Sequence, residues 1–398
     1  MDAGPAGAGG ALLLRVVGCA AVFVDTACVT ILAPLLPAYV RTIGLSTASV
    51  GFLTAAYTVG VLVAAVPAGA LVARAGPRTV VVSSLVLLAV ASLGFGFAHD
   101  VTLLLVARFA QGASGSLTWA GAFAWVTEGT PPGHRGRALG AVAAASAAGN
   151  VLGPVAGGMA AAVGVRGVFC AVVVLCAVIA LGTALVPVAK QLPAPAQGFP
   201  VRALCGRRFR AGACLIVVAG VGAGLIAVLA PLRISRLSGG SASVASVFLA
   251  AALGQAVGLR FAGRVSDLRG RRLPIRLGLG LQALVLGGLF WWCPSVPVQG
   301  VAVVLAICGN GLLWVPAMAL LSERATRAGV TQGHVFGFIS LVWAAGYIVG
   351  SAGGGGLAGA AGDGVACGLV AFVLACTLLA SLRLPRGATG IDPPRRVR

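Results

Sequence analysis

The chain holds little charge and very little negative charge: charged residues make up 9% of its 398 positions, and Asp and Glu together number 8. A soluble domain carries about 25% charged and about 45–50% apolar residues. Here hydrophobic residues reach 59% and the mean hydropathy is +1.04, so a water-soluble fold is excluded. Lysine is almost missing, with Lys190 alone, and no P-loop lysine exists to hold a nucleotide phosphate. The three histidines, His99, His134 and His334, show no metal-ligand spacing, and the ten cysteines contain no Cys-x-x-Cys pair. Most of those cysteines lie inside apolar runs and read as small apolar residues. The one Gly-x-Gly-x-x-Gly match, Gly354 to Gly359, closes an apolar segment with no strand before it, which rules out a dinucleotide site. No Ser/His, paired-Asp or metal set falls at membrane depth, so neither enzyme chemistry nor a cofactor is expected.

What the chain does have is long apolar runs. Twelve are of bilayer-crossing length, about 20 residues each: 12–37, 47–72, 79–98, 101–127, 138–162 and 166–187, then 211–232, 242–262, 273–292, 298–321, 333–358 and 364–383. They group as a tail (1–10) expected to be disordered, a six-helix bundle (11–188), a cytoplasmic linker (189–210), a second six-helix bundle (211–384) and a cytoplasmic tail (385–398). The net charge of +20 is nearly all arginine, in short clusters between these runs, and so points to a membrane rather than to nucleic acid. An internal N-terminus leaves only Arg41, Arg166, Arg233 and Arg236 outside and Arg108 within the membrane, among 28 basic residues. The positive-inside rule selects that orientation, with both termini cytoplasmic.

The two sets of six are copies. AAGNVLGPVAGG, Ala147 to Gly158, returns as AAGYIVGSAGGG, Ala344 to Gly355, with its glycines kept; LAPL at Leu32 returns at Leu229, and Trp119 at Trp314. On a helix, Gly149, Gly153 and Gly157 share one face and offer a flat strip to a neighbouring backbone. Pro154 inside the same run leaves the Asn150 carbonyl without its helical donor, which predicts a kink there. Because six helices separate the copies, the repeat is parallel, which predicts an all-α membrane protein of two pseudo-symmetric bundles around a central cavity.

These residues resemble the major facilitator superfamily, and within it the twelve-helix drug:proton antiporters. GRVSDLRGRR, Gly263 to Arg272, is similar to the family's loop signature. Its first-half copy, Gly69 to Arg78, is degenerate, with Ala73 where the family carries an acid. ARFAQG, Ala107 to Gly112, resembles the Arg-x-x-Gln-Gly motif of helix 4, and the glycine stretch of helix 5 resembles the motif of the antiporter branches. Asp25 followed by LAPLLP is similar to the branch that includes amine and multidrug exporters.

The resemblance implies a secondary transporter that exports a small hydrophobic or cationic compound in exchange for protons by alternating access. Its partners would be that substrate, protons and the lipid bilayer, with the protein a monomer in the cell membrane. The alternatives are an importer or symporter of a nutrient or sugar on the same fold, and a membrane receptor that transports nothing. Asp25 sits near mid-bilayer, where a carboxylate costs about 2.5–3.5 kcal/mol and faces a cavity or a partner. It reads as the proton-exchanging group, with a structural, hydrogen-bonded acid as the alternative. Arg108 shares a polar helical face with Gln111, Gly115, Thr118 and Trp119 and is expected to point inward and act on Asp25. Trp119, Asn150, Asn310, Trp314 and Tyr347, near mid-depth, are the candidate substrate contacts, with Tyr57 and Gln255 weaker ones. The expected gating groups are Gly69, Arg74, Arg78 and Glu128 in the first half, Gly263, Asp267, Arg271, Arg272 and Glu323 in the second, and the Gly149, Gly153, Pro154, Gly157 strip. Glu128 would pair with Arg74 or Arg78, and Glu323 with Arg271 or Arg272; the resemblance implies that Asp267 acts against the start of helix 11.

Overall fold

In the computed structural model, which describes residues 5–131, 134–186, 206–238, 240–289, 295–328 and 332–383, all regular structure among the described residues is helical. α1 (Pro5–Thr30) stops at a turn on Ile31 and resumes as α2 (Leu32–Ile43), since Pro34 has no N–H to offer the Thr30 carbonyl. α2 closes on Gly44, whose φ of +74° favours glycine. There follow α3 (Thr47–Ala75), α4 (Pro77–Gly96), α5 (Val101–Glu128), α6 (Arg135–Val163) and α7 (Val165–Ala184). α5 is capped by the Asp100 carboxylate, which accepts from the Leu103 N–H at 2.8 Å. The later part holds α8 (Arg207–Ser238), α9 (Ser241–Arg269), α10 (Arg272–Leu284) running into a π turn (Val285–Leu289), and α11 (Val296–Arg327). α12 (Gln332–Ile348) passes through a second π turn (Val349–Gly353) into α13 (Gly354–Ala361), and α14 (Asp363–Arg383) ends the described chain.

Ten helices among the described residues are long and apolar enough to cross a membrane, and each falls on one of the twelve expected spans. The other two spans are α5, which has 28 residues but a face of Arg, Gln, Ser and Thr, and α10, which ends after 13 residues at its π turn. Large apolar side chains such as Val66, Val163, Leu181 and Val257 stand 70% exposed or more, an exterior suited to lipid rather than water. Two expected boundaries move. α1 begins at Pro5, inside the stretch expected to be a disordered tail, with the proline at the first helical position, where its missing N–H costs nothing. α8 begins at Arg207, inside the expected linker; the rest of that linker and the tail beyond Arg383 lie outside the described residues.

The chain divides into two compact units, Met1–Gly44 with Ala56–Gln197, and Leu45–Ala55 with Gly198–Arg398. The first turns of α3 thus cluster with the second half, where the sequence reading had placed the whole helix in the first. Within that second unit Gly51 lies against the Ser351 carbonyl and Gly355 against Gly51, an approach that only hydrogen side chains permit. In the first unit α1 is central: Val17, Val22, Leu85, Trp125, Val142 and Cys176 form one apolar cluster around it, drawn from α1, α4, α5, α6 and α7. In the second unit α8 has the matching place, with 67% of its membrane-length window buried against 17% for α9 and 28% for α14.

Candidate functional site

The break at Ile31 exposes the last carbonyls of α1, and Arg108 of α5 fills that end. Its Nη1 donates to the Cys28 carbonyl at 2.9 Å and to Gln111 Oε1 at 3.0 Å, and its Nη2 donates to the Val29 carbonyl at 2.8 Å. A cation at a helix C-terminus also meets the negative end of the helix dipole. Arg108 is 3% exposed and lies inside the first unit against α1. Gln111 in turn donates to Ser92 Oγ at 3.4 Å, and Ser114 Oγ donates to the Ser84 carbonyl at 3.1 Å, tying the polar face of α5 to α4.

Asp25 lies one helical turn before those carbonyls. It is 1% exposed, and neither carboxyl oxygen has a hydrogen-bond partner among the described residues. The Trp119 indole and the Arg108 guanidinium face the carboxyl closely enough to act on it electrostatically, but neither reaches it with hydrogen-bonding geometry. Gly115 makes the space: a Cβ there would stand 3.1 Å from Asp25 Oδ1 and 2.5 Å from the Tyr57 hydroxyl. Tyr57, ranked low from sequence, thus joins the group, with Arg108 Cζ 4.9 Å above its ring centre. Trp119 stacks on Phe123 at 5.3 Å and is only partly buried.

The glycine strip of α6 is what lets α1 come this close. A Cβ on Gly149 would lie 2.6 Å from the Phe23 carbonyl, one on Gly153 would meet Thr30 Oγ1 and the Ala27 carbonyl, and one on Gly157 the Ile31 carbonyl. Thr26 Oγ1 donates to Ser146 Oγ at 3.3 Å across the same contact. Asn150 and Pro154 belong to this stretch; Asn150 is partly exposed and has no side-chain bond to the described residues. The second copy repeats the contact, with Gly346 on the Val217 carbonyl and Gly350 on the Val221 carbonyl of α8. Ser351 stands where the first copy has Pro154, and there the helix carries a π turn.

In the second unit Asn310 Nδ2 donates to the Ala219 carbonyl at 2.6 Å, so this amide is bound to α8 backbone. Trp314 meets Trp343 edge-on at 6.2 Å, and Trp343 leans on Tyr347 at 4.9 Å. Trp343 was not singled out from sequence, though its i, i+4 spacing to Tyr347 carried the signal.

The gating candidates separate sharply. Arg271 holds Glu323 with two bonds of 2.8 Å, with Arg327 3.7 Å away, and joins the start of α10 to the end of α11. In the first half Glu128 forms no ion pair with described residues, Arg74 is exposed, and Arg78 donates to the Val186 carbonyl at 3.5 Å instead. The expected Glu128 pair is thus not made. Arg272 has its own partner, and the Asp267 side chain lies outside the described ones. Gly69 and Gly263 face open space; the glycines their loops require are Gly76 (φ +83°) and Gly270 (φ +80°). A cavity of about 420 Å³, lined by Tyr39, Thr42, His99 and Arg166 among others, opens near Gly44 and Gly164, away from Asp25.

The chain matches the family model described as Major Facilitator Superfamily over residues 18–333 and 212–397. It is 26% identical over 145 residues to multidrug resistance protein 2 of Bacillus subtilis (strain 168), covering 36% of this chain and 36% of that protein. To the quinolone resistance protein NorA of Staphylococcus aureus it is 25% identical over 133 residues, covering 33% of this chain and 34% of that one. The chain thus spans about a third of the length of these curated relatives. Among solved structures, a bacterial homologue of the human lysosomal transporter Spinster, described as inward-facing and unoccupied, shares the fold. The TM-score is 0.65 over 96% of this chain and 95% of that chain, at 15% identity.

Proposed function

The chain belongs to the major facilitator superfamily of membrane transporters, and on that premise we propose that it exports a small hydrophobic or cationic compound in exchange for protons. The observation that carries this reading is the Asp25 carboxyl, buried one turn before the break that ends α1, with neither oxygen hydrogen-bonded among the described residues, beside an arginine and an indole. An apolar surround favours the neutral form of such a group, so it takes up a proton from one side and gives it up when a cation arrives. Shared use of one carboxyl makes proton and substrate binding mutually exclusive, which is what exchange requires. Arg108 sets the field in which that choice is made. The candidate substrate contacts are Trp119 and Asn150 in the first unit and Asn310, Trp314 and Tyr347 in the second, the aromatic rings offering their faces to a flat or cationic molecule. The names of the relatives, a multidrug and a quinolone resistance protein, favour a drug-like cargo and export over nutrient import. The protein sits in the cell membrane with both termini cytoplasmic, and Arg271 with Glu323 steadies the cytoplasmic end of the second bundle.

The test is transport in proteoliposomes under an imposed pH gradient, with ethidium as the first of a panel of lipophilic cations. The wild type accumulates or expels dye in step with proton flux, and Asp25→Asn abolishes the gradient-driven part. Unchanged coupled transport in that variant removes Asp25 from the mechanism, and a wild type that moves neither dye nor protons across the panel points to a receptor that transports nothing.

A further inference from the structure

A carboxyl that alternates between charged and neutral needs a partner able to donate to one form and accept from the other. Arg108 and the Trp119 indole only donate. Among the described residues the other titratable groups within electrostatic reach of Asp25 are Cys28 on its own helix and Cys176 from α7, both thiols with weak hydrogen-bonding power; α6 meets α1 around it through Ser146 and the Gly149 backbone. A phenol does both, and Tyr57 brings one to the place.

Its position is fixed from two directions. The backbone of α3 crosses α5 so closely that a Cβ on Gly112 would strike the Tyr57 carbonyl and one on Gly60 the Phe109 carbonyl. Ser116 Oγ donates to the Val61 carbonyl at 2.7 Å and fixes the crossing one turn further on. The ring lies under Arg108, which is itself held by the Cys28 and Val29 carbonyls. The hydroxyl oxygen and both Asp25 oxygens converge on one point, at 2.5, 3.1 and 3.4 Å from where a Gly115 Cβ would be. Their separation is at most the first two of those lengths laid end to end, within reach of a turn of the Asp25 side chain.

We propose that Tyr57 is a positioning residue for the exchange, its hydroxyl donating to the Asp25 carboxylate and accepting from the Asp25 carboxyl once a proton has arrived. Tyr57 keeps its own proton throughout; only the proton on Asp25 comes and goes. The proposal rests on the exchange reading above for its purpose, but its test does not use transport. Dicyclohexylcarbodiimide modifies a carboxyl in its protonated, apolar setting, so labelling of the purified full chain against pH follows Asp25 directly, with Asp25→Asn as the background. Tyr57→Phe keeps the ring beneath Arg108 and removes only the hydroxyl. Its labelling midpoint moves by about half a pH unit or more from the wild type, while its Tm stays within error. Tyr57→Leu removes the ring as well and lowers Tm. An unchanged midpoint in Tyr57→Phe overturns the proposal, as does the absence of Asp25-specific labelling at every pH. Failure of the exchange reading shows separately, as proteoliposomes without gradient-driven efflux whose Asp25 still titrates.

Discussion

Arg108 spends its guanidinium on backbone. It donates to two carbonyls that the break at Ile31 leaves at the end of α1, and to Gln111. It therefore does two things at once: it completes α1 and it places a positive charge near Asp25 without neutralising it by contact. Lysine carries one ammonium on a flexible stem and lacks the planar fork that spans two carbonyls. Arg108→Lys is thus expected to cost about 2 kcal/mol or more, seen as a lower Tm of the solubilised protein and a lower rate of coupled transport. A variant with wild-type Tm would show that the fork is not needed to finish α1.

At the scale of the element, α6 shows why a glycine's surroundings decide its role. Gly153 faces α1 so closely that a methyl group meets Thr30 and the Ala27 carbonyl, whereas Gly140 on the same helix faces open space. Gly153→Ala is expected to destabilise by about 1–3 kcal/mol through overpacking, and Gly140→Ala to be neutral or stabilising by up to about 1 kcal/mol through helix propensity. Thermal unfolding of the two variants side by side checks the contrast; equal effects would mean that α1 and α6 do not pack through the glycines. The two copies differ here: α6 runs as one unbroken α-helix through Pro154, where the sequence predicted a kink, and only the second copy departs from α-helical winding. Pro154 withholds a donor in α6, while the π turn at Val349–Gly353 adds a residue to the turn around Ser351. Both halves keep the glycine face, but only the first keeps the proline.

Across the whole molecule the duplication is unequal where the chemistry lies. The LAPL offset carries Asp25 onto Gly222, beside which stands the buried amide of Gln282, so the second half has no acid at the matching place. The ion pair is unequal too: Arg271 and Glu323 meet in the second unit, while Glu128 in the first forms no such pair with described residues. Both partners of the formed pair are partly solvated, at 18% and 35% exposed, so the bond adds at most about 1 kcal/mol to stability. Glu323→Gln is accordingly expected to leave Tm almost unchanged and to alter turnover at least about twofold if the pair must break and re-form in each cycle. Unaltered turnover would leave the pair a local brace between α10 and α11.

Composition and spacing were enough to establish a helical membrane protein, most of its spans and its two copies, and the resemblance of its motifs pointed to the family. The free energy of placing a helix in lipid is a sum over about 20 side chains and depends little on what surrounds them. The same reasoning singled out Asp25, because a lone acid in such a sum stands out whatever its neighbours are. The rest of the site lay in packing. Helical period says which residues share a face but not which helix that face meets, so Tyr57 and Trp343 were missed or ranked low, and the Glu128 pair was expected where none forms. The carbonyls that engage Arg108 belong to backbone, which has no letter in the sequence, and only the break in α1 against α5 brings them within its reach.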